Sequence, residues 1–304
     1  PPFFHMESIS YYLQTVLNGI LAGCIYALFA MGLTLIYGVL NFVNFAHGEL
    51  IMWGAYFLFL FMGEPFGLPL YAAIFPALAL TGCLGLAMDY SVFRPIRRAN
   101  RLTLLIAAMG LSVFLRNAAQ FFWGAEVRTY GLEVTAGMRF FGLYITAPQL
   151  AIIAVTLLCV AAVYLLFFKS RLGKSMRALS DNLDLARISG IDTKRAILAA
   201  WVISAVLAGF VGCIVSTRFR TIAPSFGTGL ELEAIAASVI GGTLLMGGFG
   251  TIVGAALGAL LVVIINNGLV LCGAPPYWYQ TFIGLILIVT AIINLRSKGL
   301  GRES

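Results

Sequence analysis

Charge is what this 304-residue sequence has least of. Charged residues make up 10% of it, against 61% apolar, and the mean hydropathy is +0.98. A soluble domain carries about a quarter charged residues, so a water-soluble globular fold is excluded. Histidine occurs twice, which leaves no basis for a histidine-built metal centre. The five cysteines (Cys24, Cys83, Cys159, Cys213 and Cys272) are scattered through or beside apolar runs, with no CxxC among them. They read as small packing residues. HExxH, GxSxG and GxxxxGK[ST] are all missing, so no protease, hydrolase or nucleotide-binding chemistry is expected of the chain itself. His47-x-Glu49 matches part of a deaminase zinc motif, but no PCxxC accompanies it. No cofactor and no metal are expected, nor is a cleavable signal peptide, because the opening apolar run is too long for one.

What is present is apolar sequence in long blocks. Nine stretches approach or reach the ~20 residues that cross a bilayer: 11–39, 48–62, 66–90, 102–122, 145–168, 195–217, 233–248, 251–271 and 277–295. The reading is an all-α, polytopic transmembrane bundle of eight to ten spans, forming a single domain over 1–304. The second and seventh stretches are short and are candidates for broken or re-entrant segments. The net charge of +7 resides in loops, so it does not indicate nucleic acid. Arg94, Arg97, Arg98 and Arg101 fill one short loop, the basic residues from Lys169 to Arg195 fill another, and Arg296, Lys298 and Arg302 close the chain. Positive charge marks the cytoplasmic side, which puts the N-terminus outside and the C-terminus inside. The segment 123–144 then becomes an external loop.

Residues 173–191 are a polar island in this apolar chain. Leu172, Met176, Leu179, Leu183, Ala186 and Gly190 recur at steps of four and three, as one helical face does. Arg177 and Asp181, and likewise Asp184 and Arg187, are spaced for pairing along a helix. Gly190 is placed to end the helix and Asp192 to cap the next. The pattern predicts a cytoplasmic docking helix; the alternative is a solvated loop between two spans.

Two interruptions of the apolar sequence stand out. NFVNFAHGE, residues 41–49, places Asn41, Asn44, His47 and Glu49 between spans. Polar groups at membrane depth line cavities or find partners, so this is either a broken helix beside a solute path or a loop at the interface. The second, 241–268, is dense in glycine. Its ladder Gly250-x-x-x-Gly254-x-x-x-Gly258 predicts close helix packing. Interruptions near opposite ends of the chain point towards internal repeats around a central site.

Several of these residues carry a family resemblance. Gly32-Leu-Thr-Leu-Ile-Tyr-Gly38, Asn44-Phe-Ala-His-Gly48, Tyr56, Arg94-Pro95-Ile96-Arg97 and the run from Gly110 through Asn117 resemble permease subunits of branched-chain amino acid importers. These belong to the branched-chain amino acid and simple-sugar permease group of ATP-binding-cassette (ABC) transporters. The island, with Gly173, Arg177, Ala178, Asn182, Ala186, Gly190 and Ile191, is similar to that group's coupling loop. In the last third, Glu231-Leu-Glu233, Gly241-Gly-Thr243, Asn266-Asn267-Gly268 and Pro276-Tyr277-Trp278 look more like ribose-type sugar permeases.

The resemblance implies inward movement of branched-chain or other hydrophobic amino acids across a bacterial or archaeal plasma membrane by alternating access. Its implied partners are two cytoplasmic ATP-binding subunits, a second permease and an extracytoplasmic substrate-binding protein. ATP hydrolysis would belong to those subunits, so this chain is no enzyme. It implies ATPase coupling by Arg177, Asp181, Asn182, Ala186, Gly190 and Ile191. Asn41, Asn44, His47 and Asn117 are the candidates for the translocation path. The alternatives are a simple-sugar permease and an ion-coupled secondary transporter. Against the last, no carboxylate reads as buried: Asp89 falls at a span end, and Glu231 and Glu233 fall near the start of a stretch.

Overall fold

The computed structural model describes residues 3–40, 42–132, 137–140, 143–242, 252–275 and 277–300. Its long elements are helices: α1 (Phe3–Leu40), α2 (His47–Met62), α3 (Leu70–Met88), α4 (Arg101–Trp123), α5 (Ala147–Lys169), α6 (Arg171–Asp181), α7 (Leu183–Ile188), α8 (Thr193–Phe219), α9 (Leu230–Ile240), α10 (Ile252–Leu271) and α11 (Tyr277–Leu300). A π-helical turn, Asp89–Phe93, carries α3 on to Ile96. Short strands β1 (Arg128–Thr129) and β4 (Thr221–Ile222) pair antiparallel, as do β2 (Met138–Phe140) and β3 (Leu143–Ile145).

Among the described residues, six helices are long and apolar enough to cross a membrane; α2 and the Tyr277–Val289 part of α11 are apolar but shorter. Helix therefore forms at each predicted stretch. In the seventh it covers Leu230–Ile240, and residues 243–248 lie outside the described residues. α1 and α8 are mostly buried and form the centre, whereas α5 lies almost wholly on the outside. Lipid gives helices no hydrophobic reason to associate, so contact depends on close packing. The α2–α8 crossing shows how: a Cβ on Gly54 would collide with the backbone of Gly209, and one on Gly209 would come 2.8 Å from Thr81 Cβ of α3.

Two poles orient the bundle. At one, Gly38 near the end of α1 faces Ser180 of α6, and α8 begins just beyond α7. At the other, Gln14 exchanges hydrogen bonds with Tyr144 at 3.1 and 2.9 Å, and β1 pairs with β4 just after α8. So α1 and α8 run in opposite senses. Their neighbours match: α1 packs along α10 and α8 along α3, α2 touches α3 and α4, and α9 touches α10 and α11. The set α1–α4 and the set α8–α11 are thus arranged as an inverted repeat.

Each set contains one short helix that begins in the interior. α2 starts two to three turns back along α1, with the His47 ring stacked on Phe29 at 4.8 Å between centroids and on the position of Gly32. The segment before it is held by Phe42 on Phe93 (5.0 Å), itself stacked on Trp201 (5.1 Å). α9 starts beside Gly48, after residues 223–229 double back from β4. The described counterpart of the break at 42–46 is therefore 223–229, one helix earlier than the glycine-dense stretch pointed to. Within that stretch Gly258 packs against Ala237 of α9, as the packing reading of the ladder requires; Gly250 lies outside the described residues.

Candidate translocation site

The first turns of α2 and α9 abut. A Cβ on Gly48 would lie 2.7 Å from Glu231 Oε2 and 2.9 Å from the Gly227 carbonyl oxygen. Gly227 itself has φ +90°, a conformation that side-chain-bearing residues rarely adopt. Both helices thus direct their N-terminal, partly positive ends at one place, and each puts a carboxylate there, Glu49 and Glu231. Glu49 is 2% exposed. Its Oε1 accepts from Ser112 Oγ at 2.8 Å and from Nε of Arg116 at 3.2 Å, and Arg116 Nη2 makes an ion pair with the same oxygen. Trp53 Nε1–H donates to the Leu115 carbonyl at 3.2 Å, which fixes α2 on α4 one residue from that arginine.

Buried carboxylates are therefore present, contrary to the sequence reading. Glu49 and Asp89 are each 2% exposed, the latter ion-paired to Arg97. Each is stable at depth because an arginine from a neighbouring turn or helix neutralises it. Arg116 was the missed signal, a guanidinium in the middle of an apolar stretch.

Asn44 and His47 are fully buried at this junction. Asn44 Oδ1 accepts from the Ala46 amide at 3.1 Å, and Ser204 Oγ donates to the Gly32 carbonyl at 2.7 Å while lying 3.4 Å from His47 Nδ1. Asn117 is elsewhere: it is exposed on α4, its Nδ2 donating to Val113 O of its own helix at 2.7 Å. Asn41 lies outside the described residues.

Beyond the junction, Leu33, Thr34 and Tyr37 of α1, Val43, and Ile235, Ser238 and Val239 of α9 line a narrow cleft with a cavity volume of about 20 Å³. Thr34 and Ser238 hydroxyls bond across it at 2.8 Å. Glu233 points to another face of α9, where Tyr279 donates to it at 3.0 Å and Tyr26 also bonds.

The island is two helices, α6 and α7, not one. Asn182 ends α6 with extended backbone and caps α7, accepting from the amides of Asp184 and Leu185, both at 3.0 Å. The expected pairings along a single helix do not form: Arg177 instead donates to Phe167 O at 2.8 Å, and Asp181, Asp184 and Arg187 are exposed. Gly190, at φ +79°, closes α7, with Ile191 N–H on Ala186 O (3.1 Å) and Gly190 N–H on Arg187 O (3.2 Å), a Schellman motif. Asp192 then caps α8 as expected. The apolar stripe turns inward: Met176, Leu179 and Ala186 are buried, while Leu185 (57%) and Ile188 (81%) stand out at the tip.

A family model described as "Branched-chain amino acid transport system / permease component" matches residues 15–291. The chain belongs to this permease family. This permease is 33% identical over 269 residues to the high-affinity branched-chain amino acid transport system permease protein BraD of Pseudomonas aeruginosa, covering 84% of this chain and 86% of that one. It is 31% identical over 311 residues to the corresponding protein LivH of Escherichia coli, covering 97% of each. A shorter match, 36% over 130 residues, is to the xylose transport system permease protein XylH of Escherichia coli and covers 43% of this permease.

Proposed function

We propose that this chain is one permease subunit of an ABC importer that moves branched-chain or similar hydrophobic amino acids inward. The carrying observation is that the similarity to LivH runs the full length of both chains, whereas that to XylH stops at part of each. The short helices α2, α9 and α11 bring the six long ones to nine membrane-inserted segments, with the island pole cytoplasmic and the β1–β4 pole outside.

In this reading two ATP-binding subunits dock on the inner face, one of them on this chain's island, with Asp181, Asn182, Gly190 and Ile191 framing the exposed Leu185 and Ile188. Arg177 and Ala186 hold the island to the bundle. A second permease subunit, identical or related, completes the path, and a substrate-binding protein delivers solute at the β-strand pole. The membrane is the bacterial plasma membrane. Nucleotide-driven movement of the island switches the bundle between two packings. Asn44 and His47, at the α2–α9 junction, border the path.

Reconstitution of this chain into proteoliposomes with its ATPase subunits, second permease and binding protein tests the proposal. ATP-dependent leucine uptake without an ion gradient is the expected result. Uptake of xylose in place of leucine, or uptake by this chain alone on a proton or sodium gradient, would overturn it.

A further inference from the structure

Seven buried side-chain nitrogen or oxygen atoms lack a hydrogen-bond partner among the described residues. Three of them, Asn44 Nδ2, His47 Nε2 and Glu49 Oε2, fall within the six residues around the start of α2. A buried polar atom with no partner costs about 1–3 kcal/mol, so a concentration of them marks a place where something else binds. Glu231 of α9 adjoins the same turn and is half-buried. It lies within electrostatic range of both Glu49 and Arg116. The ion pair of Arg116 is with Glu49. Arg116 spends Nε and Nη2 on Glu49, and its side chain remains 30% exposed.

The excess charge has a direction. Glu231, Ile235, Ser238 and Val239 follow one another at i, i+4, i+7 and i+8, so they share one face of α9. The last three line the apolar cleft. One helical face therefore carries a carboxylate and, one turn or about 6 Å further on, a branched apolar surface. Resting on the amino-acid reading above, we infer that the α2–α9 junction is a binding subsite for the charged end of a zwitterionic α-amino acid. Its ammonium group donates to Glu231 and to the open Oε2 of Glu49. Its carboxylate accepts from the exposed part of the Arg116 guanidinium, and its side chain lies along Ile235 and Val239. Helix N-terminal dipoles favour carboxylates in each first turn; they do not account for the open Oε2 of the buried Glu49.

The test is scintillation-proximity binding of radiolabelled leucine to the solubilised complex of this chain with its second permease and ATPase subunits. The competitors are 3-methylbutylamine, 4-methylpentanoate and xylose. Displacement by the amine is expected. Glu231→Gln is expected to weaken leucine binding by about tenfold or more, the loss of a charge-assisted hydrogen bond, and to abolish displacement by the amine; Glu231→Asp keeps it. Unchanged leucine binding in Glu231→Gln, or displacement by the acid and not the amine, overturns the subsite while leaving leucine as the solute. Xylose binding without leucine binding overturns the amino-acid reading itself. If Glu231→Gln fails to assemble, the competition on the unaltered complex decides, and displacement by the acid alone or by neither charged analogue refutes the inference.

Discussion

Replacing Arg116 by Met removes two donors from Glu49 Oε1 and leaves that carboxylate with the Ser112 hydroxyl as its described partner. Glu49 is 2% exposed beneath that arginine. Breaking a buried ion pair from one side costs about 3–5 kcal/mol, because the surviving charge is stranded. Removing both charges, as Glu49→Gln with Arg116→Met, strands nothing and is expected to cost far less than the sum of the single changes. The coupling should fall in the upper part of the about 0.5–3 kcal/mol found for residues in contact. Equilibrium unfolding in mixed lipid–detergent micelles provides the assay. Trp53 is a built-in reporter, since its indole N–H is bonded one residue from Arg116 and its ring meets Trp123 at 5.6 Å. If the two single losses add to within about 0.5 kcal/mol, the pair is not the coupled buried unit described here.

Two further outcomes are expected. Ile188→Asp, at an exposed tip, should leave folding unchanged yet reduce co-purified ATPase subunit severely, whereas Ala186→Asp, buried beneath it, should lower permease yield itself; the reverse pattern would mean that the island docks through its inner face. In a cysteine-free background, a cysteine replacing Thr129 should react with an impermeant thiol reagent only from outside and one replacing Arg187 only from the cytoplasm, and the opposite labelling would invert the topology.

The membrane class and the positions of the helices were legible because long apolar blocks have no other stable disposition. The ends of the island were equally legible, since Gly190 and Asp192 act through local backbone chemistry. The break at Asn182 was not, because the stripe from Met176 to Ala186 keeps helical spacing across it; only an asparagine's preference for capping signals the stop. The Glu49–Arg116 pair was hidden by distance in the chain, 67 residues, as was the meeting of Gly48 with Gly227. Apolar periodicity says which residues avoid water, not which helix each will face when nearly every face is apolar. Glycine density pointed to 241–268, yet the described second break needs only Gly227, Gly229 and the preceding Pro224.

The inverted arrangement also bears on biogenesis. α1 is made first, but the helix it packs on most extensively is α10; the Asn267 side chain bonds back to the Thr15 carbonyl across 252 residues of chain. At about 5–20 residues per second, α1 waits roughly 13–50 s before that surface is covered. α3 waits in the same way for α8, and the two short helices cannot meet until both repeats are inserted. During that interval the ribosome-bound chain displays small-residue grooves inside the bilayer. Quality control that recognises unassembled membrane segments would act on this protein during synthesis, before any partner subunit arrives.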